Sequence, residues 1–209
     1  MDLSNPIRSV IPVGQGEVLA VLARTDRPLT GRRVAELTDG RLSQKGTNLA
    51  LRALVGSGLV VVEAQPPANL YRLNRQHLAA PSIEALVALR DRLIAAMAEH
   101  IDAWKVRAEG AWLFGSAARG DGDETSDIDV LVLRPTQVDD DIWDDQVEQF
   151  AAAVTAWTGN RCEVVEYTSE EFAELMGRAE DRLAVGLRAD AVALTPRELP
   201  RRVAARLGR

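Results

Sequence analysis

Cysteine occurs once in the 209 residues, at position 162, and histidine only twice. A single thiol cannot close an internal disulfide, which excludes a disulfide-stapled scaffold and suits a reducing cytoplasm. Two histidines and one cysteine also argue against a zinc site. Aromatic residues make up 4% of the chain. No run of 18 apolar residues is present, so no membrane-spanning helix is expected. The first residues, Met1-Asp-Leu-Ser-Asn-Pro-Ile-Arg8, lack the charged stretch and apolar core of a secretory leader. A hydrophobic content of 46% is enough for a core, and the length allows one or two domains. The expectation is a cytoplasmic protein without a membrane partner. Internal repeats and low-complexity segments are absent.

The net charge of −6 is unevenly spread. Residues 1–78 hold 10 Lys and Arg against 6 Asp and Glu, whereas residues 79–209 hold 15 against 25. A basic first part on an acidic chain points to two domains with different partners.

The basic part reads as three short helices and a hairpin. Residues 17–24 form the first helix. Thr30 is the expected N-cap of a second, Gly31 to Leu37, with Val34 and Leu37 inward. Ser43 caps a third, which runs to about Val55 with Leu51, Leu54 and Val55 on its apolar side. Gln44, Lys45, Thr47, Asn48 and Arg52 lie mostly on the other side, and Gly56-Ser-Gly58 stops the helix. Two β-rich runs, Leu59–Val62 and Leu70–Leu73, flank a Pro66-Pro67-Ala-Asn69 turn. This order resembles the winged helix-turn-helix domain of bacterial regulators. The resemblance implies duplex DNA as partner, with Gln44, Lys45, Thr47, Asn48 and Arg52 reaching bases and phosphates.

Residues 82–105 carry apolar side chains at helical spacing from Ile83 to Trp104. They predict one long helix, capped by Ser82, that links residues 1–78 to residues 109–209 and offers a stripe for core or homodimer packing.

The second part is organised around Phe114-Gly-Ser-Ala-Ala-Arg-Gly-Asp-Gly-Asp-Glu-Thr-Ser-Asp-Ile-Asp-Val-Leu-Val-Leu133. It predicts a strand over 111–114, a Gly-Ser turn opening a short helix to Arg119, a flexible acidic loop over 120–126, and a strand over 127–133. Strand side chains alternate, so Asp127 and Asp129 share one face. Two such carboxylates repel each other, and a divalent cation held with substrate phosphates relieves that repulsion. Gly115 lets backbone approach a ligand, and Ser116 offers a hydroxyl and an N–H to an anion. A phosphate cradle beside a carboxylate dyad is equipment for phosphoryl or nucleotidyl transfer. An amphipathic helix over 140–158 follows, with Trp143, Val147, Phe150, Val154 and Trp157 on one stripe and Gly159-Asn160 as its stop. A third strand spans 161–167, a helix runs from Ser169 to about Leu187, a short strand spans 190–194, and an arginine-rich helix follows Pro196.

The run Phe-Gly-Ser-Ala-Ala-Arg-Gly followed by Ser-Asp-Ile-Asp resembles the signature of the minimal nucleotidyltransferases in the DNA polymerase β-like superfamily. The resemblance implies a small α/β (α+β) domain over 109–209 with a mixed sheet, Mg²⁺ or Mn²⁺, and a nucleoside triphosphate, with ATP the expected donor. It places Gly115, Ser116 and Arg119 at the nucleotide. Asp127, Asp129 and a third carboxylate serve as metal ligands and catalytic groups. Glu163 and Glu166 both lie on the third strand and face opposite ways; the family pattern selects Glu163, as base or metal ligand, where the usual residue is Asp. Such domains transfer a nucleoside monophosphate to a protein hydroxyl, as antitoxins do on HEPN-type toxins, or to tRNA or aminoglycosides, and the sequence does not choose among these acceptors. The alternative is a winged-helix transcriptional regulator whose nucleotidyltransferase domain is only a nucleotide sensor or dimer module.

Overall fold

Local signals set most element boundaries. In the computed structural model, which describes residues 1–196, Thr30 accepts a hydrogen bond from the Arg33 N–H and Ser43 one from the Gly46 N–H, so both cap helices as expected. The chain divides into two units, one formed by Asp2 and Ser4–Asp91, the other by Met1, Leu3 and the residues from Arg92 on.

In the first unit the order is α1 (Gly14–Ala23), β1 (Leu29–Thr30), α2 (Gly31–Glu36), α3 (Gln44–Gly56), β2 (Val60–Gln65), β3 (Ala68–Leu73) and α4 (Ala80–Val87). The strands form an antiparallel sheet in the order β1-β3-β2. Ile7, Val18, Leu22, Val34, Leu51, Leu54 and Leu73 fill its core. Two expectations fail on packing. Thr47, read as part of the outward polar face of α3, is fully buried and its hydroxyl has no partner among the described residues. Leu37, expected inward, is the C-cap of α2 and is 40% exposed.

The predicted long helix is two: α4 stops at Ala88, and α5 spans Leu89–Asp102. Ser82 is not the cap, since the N-cap position is Ala79 and Pro81 lies in the first turn. No Gly or Pro marks the break. The apolar stripe changes allegiance there: Ile83 joins the first core, whereas Leu93, Met97 and Ile101 join the second.

The second unit holds β4 (Gly110–Phe114), α6 (Gly115–Arg119), β5 (Ile128–Leu133), α7 (Asp140–Thr158), β6 (Cys162–Tyr167), α8 (Ser169–Gly177), α9 (Arg182–Asp190) and β7 (Val192–Ala193). Its sheet runs β6-β5-β4-β7, with β5 and β6 parallel and the other pairs antiparallel. Alternation along β5 sends Ile128, Val130 and Val132 into one core with Trp143, Phe150 and Val154 of α7. It sends Leu131 and Leu133 into another with Trp112, Phe172 and Leu187. Trp112 stacks on Phe172 with centroids 5.2 Å apart, and Trp104 meets Trp143 edge-on at 5.4 Å. Gly159, at φ 76°, ends α7 as expected, but Trp157, placed on its inner stripe, is 46% exposed and meets the His100 ring.

The helix expected over 169–187 is also two. Asp181 starts α9 by accepting from the N–H groups of Leu183 and Ala184. The acidic loop after α6, expected to be flexible, is tied down. Asp123 accepts from Thr125 and Ser126, and the Asn160 amide donates to the carbonyls of Asp123 and Ser126. The arginine-rich segment from Arg197 to Arg209 lies outside the described residues. Among the described residues, no helix is long and apolar enough to cross a membrane.

Candidate active site

The site is built where β4 ends and β5 begins. Phe114, the last residue of β4, pairs with Asp129, and Asp129 pairs in turn with Glu163 on β6. The chain leaves β4 through Gly115 at φ 71°. A Cβ at Gly115 would lie 2.4 Å from Oδ2 of Asp129. Glycine is therefore required twice over, by the left-handed backbone and by the carboxylate against it. Ser116 follows in α6. Its hydroxyl makes no hydrogen bond among the described residues, and a Cβ on Gly122 would come within 3.0 Å of it.

Register decides which glutamate shares the aspartate face. In the parallel β5–β6 pair Asp129 stands opposite Glu163 and Val132 opposite Glu166. Glu166 belongs to the face covered by α7, where it accepts a hydrogen bond from the indole N–H of buried Trp143. Asp127 sits one residue before β5 begins, exposed, two positions from Asp129.

The electrostatics are those of crowded anions. The Asp129 carboxyl is pushed above its ordinary value, first by burial, then by Glu163 and Asp127, with Arg119 opposing. Burial, followed by the same Asp129 and Glu163 charges, raises the neighbouring Cys162 thiol to about 12, which makes it inert as a nucleophile. The two nearby arginines pair with groups other than Asp127 and Asp129. Arg119 donates from Nε to Asp121 at 2.9 Å, with Asp190 at 3.9 Å, and Arg161 holds Glu163 at 2.9 Å.

Among the described residues, no three Asp, Glu, His or Cys side chains close on a point that could hold a metal ion. Of the expected trio, Asp129 and Glu163 stand opposite each other on paired strands, Asp127 precedes β5, and Glu163 is turned to Arg161. The donor set still fits a hard divalent cation: Asp127 and Asp129 supply oxygens, and Mg²⁺ ordinarily takes only one or two carboxylates and fills its sphere with waters and phosphates. Arg161 was not singled out from the sequence. Its position two residues before Glu163 is the signal that could have found it.

Residues 98–196 match the nucleotidyltransferase domain family. One solved structure with a similar chain is a toxin–antitoxin complex with AMP-PNP. It is 17% identical and covers 50% of this chain and 71% of that one, at a TM-score of 0.33. Another is human N-acetylserotonin methyltransferase in complex with SAM, 21% identical, covering 50% and 32%, at 0.28. No curated protein matches significantly.

Proposed function

We propose that the second unit transfers a nucleoside monophosphate from a nucleoside triphosphate, with ATP the expected donor, to a hydroxyl of a protein acceptor. The observation that carries this reading is the Asp129 carboxylate, held against the Gly115 backbone and opposite Glu163, with no Lys or Arg in ion-pair contact with it among the described residues. Such crowding costs stability unless a ligand of opposite charge completes the site. Mg²⁺, held by Asp127 and Asp129, would supply that charge and neutralise the phosphates. Ser116 offers its unengaged hydroxyl to the phosphate tail. The acceptor oxygen bonds to the α-phosphorus, the bond from that phosphorus to the oxygen bridging the β-phosphate breaks, and pyrophosphate leaves. The acceptor proton passes to Glu163 once Arg161 releases it. The acidic balance of residues 79–209 favours a protein over tRNA, and an HEPN-type toxin is the acceptor that the family resemblance implies. Incubation with each of the four labelled nucleoside triphosphates, Mg²⁺ and host extract should yield one labelled protein band. A labelled RNA band would overturn the acceptor class, and no label with any donor would overturn the transferase reading.

A second reading applies to the first unit, which we infer to be a winged helix that binds duplex DNA. Its support is the exposed face of α3. Lys45 and Arg52, like Arg24 and Arg27, make no ion pair among the described residues, whereas Arg32 and Arg33 are held by Glu36, Arg72 by Glu63, and Arg75 by Asp26 and Glu84. Retention of a random duplex at low salt, lost as salt rises, is the expected result.

A further inference from the structure

The exposed face of α3 carries more than cations. Thr47, Ala50, Leu51 and Leu54 turn inward, leaving Gln44, Lys45, Asn48, Leu49 and Arg52 outside. Gln44 and Asn48 lie one helical turn apart, and the Gln44 amide nitrogen donates to Oδ1 of Asn48 at 3.1 Å. That Oδ1 also lies against Gly31, where a Cβ would come within 3.2 Å of it. The pair is thereby oriented. Two groups make no hydrogen bond among the described residues: the Gln44 carbonyl, an acceptor, and the Asn48 amide nitrogen, a donor. One free acceptor and one free donor, on side chains joined by a hydrogen bond, are the groups that the adenine edge in the major groove calls for, with its N6 amino group and N7. Beside them Leu49 is 71% exposed, on the helix face that also carries Lys45 and Arg52. A leucine held in water between two unpaired cations has no packing role in the unit, and a thymine methyl is the apolar feature of the major groove that it fits.

We propose that α3 reads an adenine–thymine step in duplex DNA. The Gln44–Asn48 amide pair meets the adenine, Leu49 meets a thymine methyl, and Lys45 and Arg52 hold phosphates. This rests on the DNA-binding reading of the first unit.

The test uses the full chain and a pool of randomised duplexes, followed by anisotropy titration of the selected duplex. An A·T step should be enriched. Replacing its thymine by uracil, which removes only the methyl, should weaken binding roughly threefold to fivefold. Replacing its adenine by 7-deazaadenine should weaken binding about fivefold or more. In Leu49→Ala, an exposed change that leaves the core intact, thymine and uracil duplexes should bind alike. In Asn48→Ala the penalty for 7-deazaadenine should disappear. Binding of the pool without A·T enrichment, or a thymine preference that persists in Leu49→Ala, overturns this proposal while the DNA reading stands. Failure to retain any duplex at low salt overturns the DNA reading itself, and the base assignment with it.

Discussion

In the first unit most arginines outside α3 are matched within the protein, Arg24 and Arg27 being the exceptions among the described residues. Buried Glu17 takes Arg8 at 3.0 Å and the Asn5 amide, Asp2 takes Arg8 as well, and Glu36 takes two arginines. The cations left over on α3 are Lys45 and Arg52. In the second unit the imbalance has the opposite sign. Asp129 is pressed by Glu163 and Asp127; Arg161 pairs with Glu163 and Arg119 with Asp121, and among the described residues no ion pair reaches Asp127 or Asp129. Exposed ion pairs contribute little stability, about 0–1 kcal/mol each. Their information lies in where they are missing. On the functions proposed above, the ligands of opposite sign would be phosphates of a duplex for α3 and a cation with its nucleotide for Asp127 and Asp129.

The comparison breaks most visibly at Asp129. Asp129→Asn should reduce transfer roughly a thousandfold or more, because a site that gives several kcal/mol of charge stabilisation is lost at about tenfold per 1.4 kcal/mol. The same change should raise the melting temperature without metal by removing the repulsion. The sign of the pH dependence follows from the raised value of Asp129. The native state binds the proton more tightly than the unfolded chain, so the wild-type penalty is absent in acid and grows as pH rises through that raised value. The difference in melting temperature between Asp129→Asn and wild type should therefore vanish at low pH and open on the way to neutrality. Equal melting curves at pH 7 would show that the carboxylate is already compensated.

Glu163→Gln should lower kcat about a hundredfold with little change in nucleotide binding, while Glu166→Gln, on the opposite face, should leave kcat near wild type. The reverse ranking in a steady-state assay would mean that the active face is the one covered by α7. Gly115→Ala combines a left-handed backbone with a Cβ driven into Asp129, and should cost about 1–3 kcal/mol in a denaturant titration. In the first unit, Lys45→Ala and Arg52→Ala should each reduce the slope of log affinity against log salt by about one. Arg161→Ala should change stability by less than about 1 kcal/mol, since the pair it breaks is exposed. It should also let metal-dependent nucleotide binding saturate at lower Mg²⁺, readable by titration without any acceptor present.

Much of the scaffold was legible because its causes are local. The caps Thr30 and Ser43, the stop at Gly159, the alternation from Ile128 to Leu133 and the helical stripe of Trp143, Phe150 and Val154 each depend on residues within a few positions of one another. Where a cause was not local the reading slipped. Nothing near Ala88 announces the end of α4, since the helix ends where its apolar side chains pass from one core to another. Thr47 has the composition of a surface residue, yet its place on α3 turns it inward.

By itself, then, the amino-acid order determined the Gly115-Ser116 turn and the spacing of two that sets Asp127 beside Asp129 in the chain. Only the tertiary structure decided which glutamate stands beside them. Glu163 and Glu166 lie on one strand three residues apart, and the choice hangs on the register of β6 against β5 together with the Trp143 indole that claims Glu166 from the other side. It also decided that Glu163 is held by Arg161 and Arg119 by Asp121. Strand pairing and ion pairing join groups through space, and their geometry is set by packing rather than by the order of neighbouring residues.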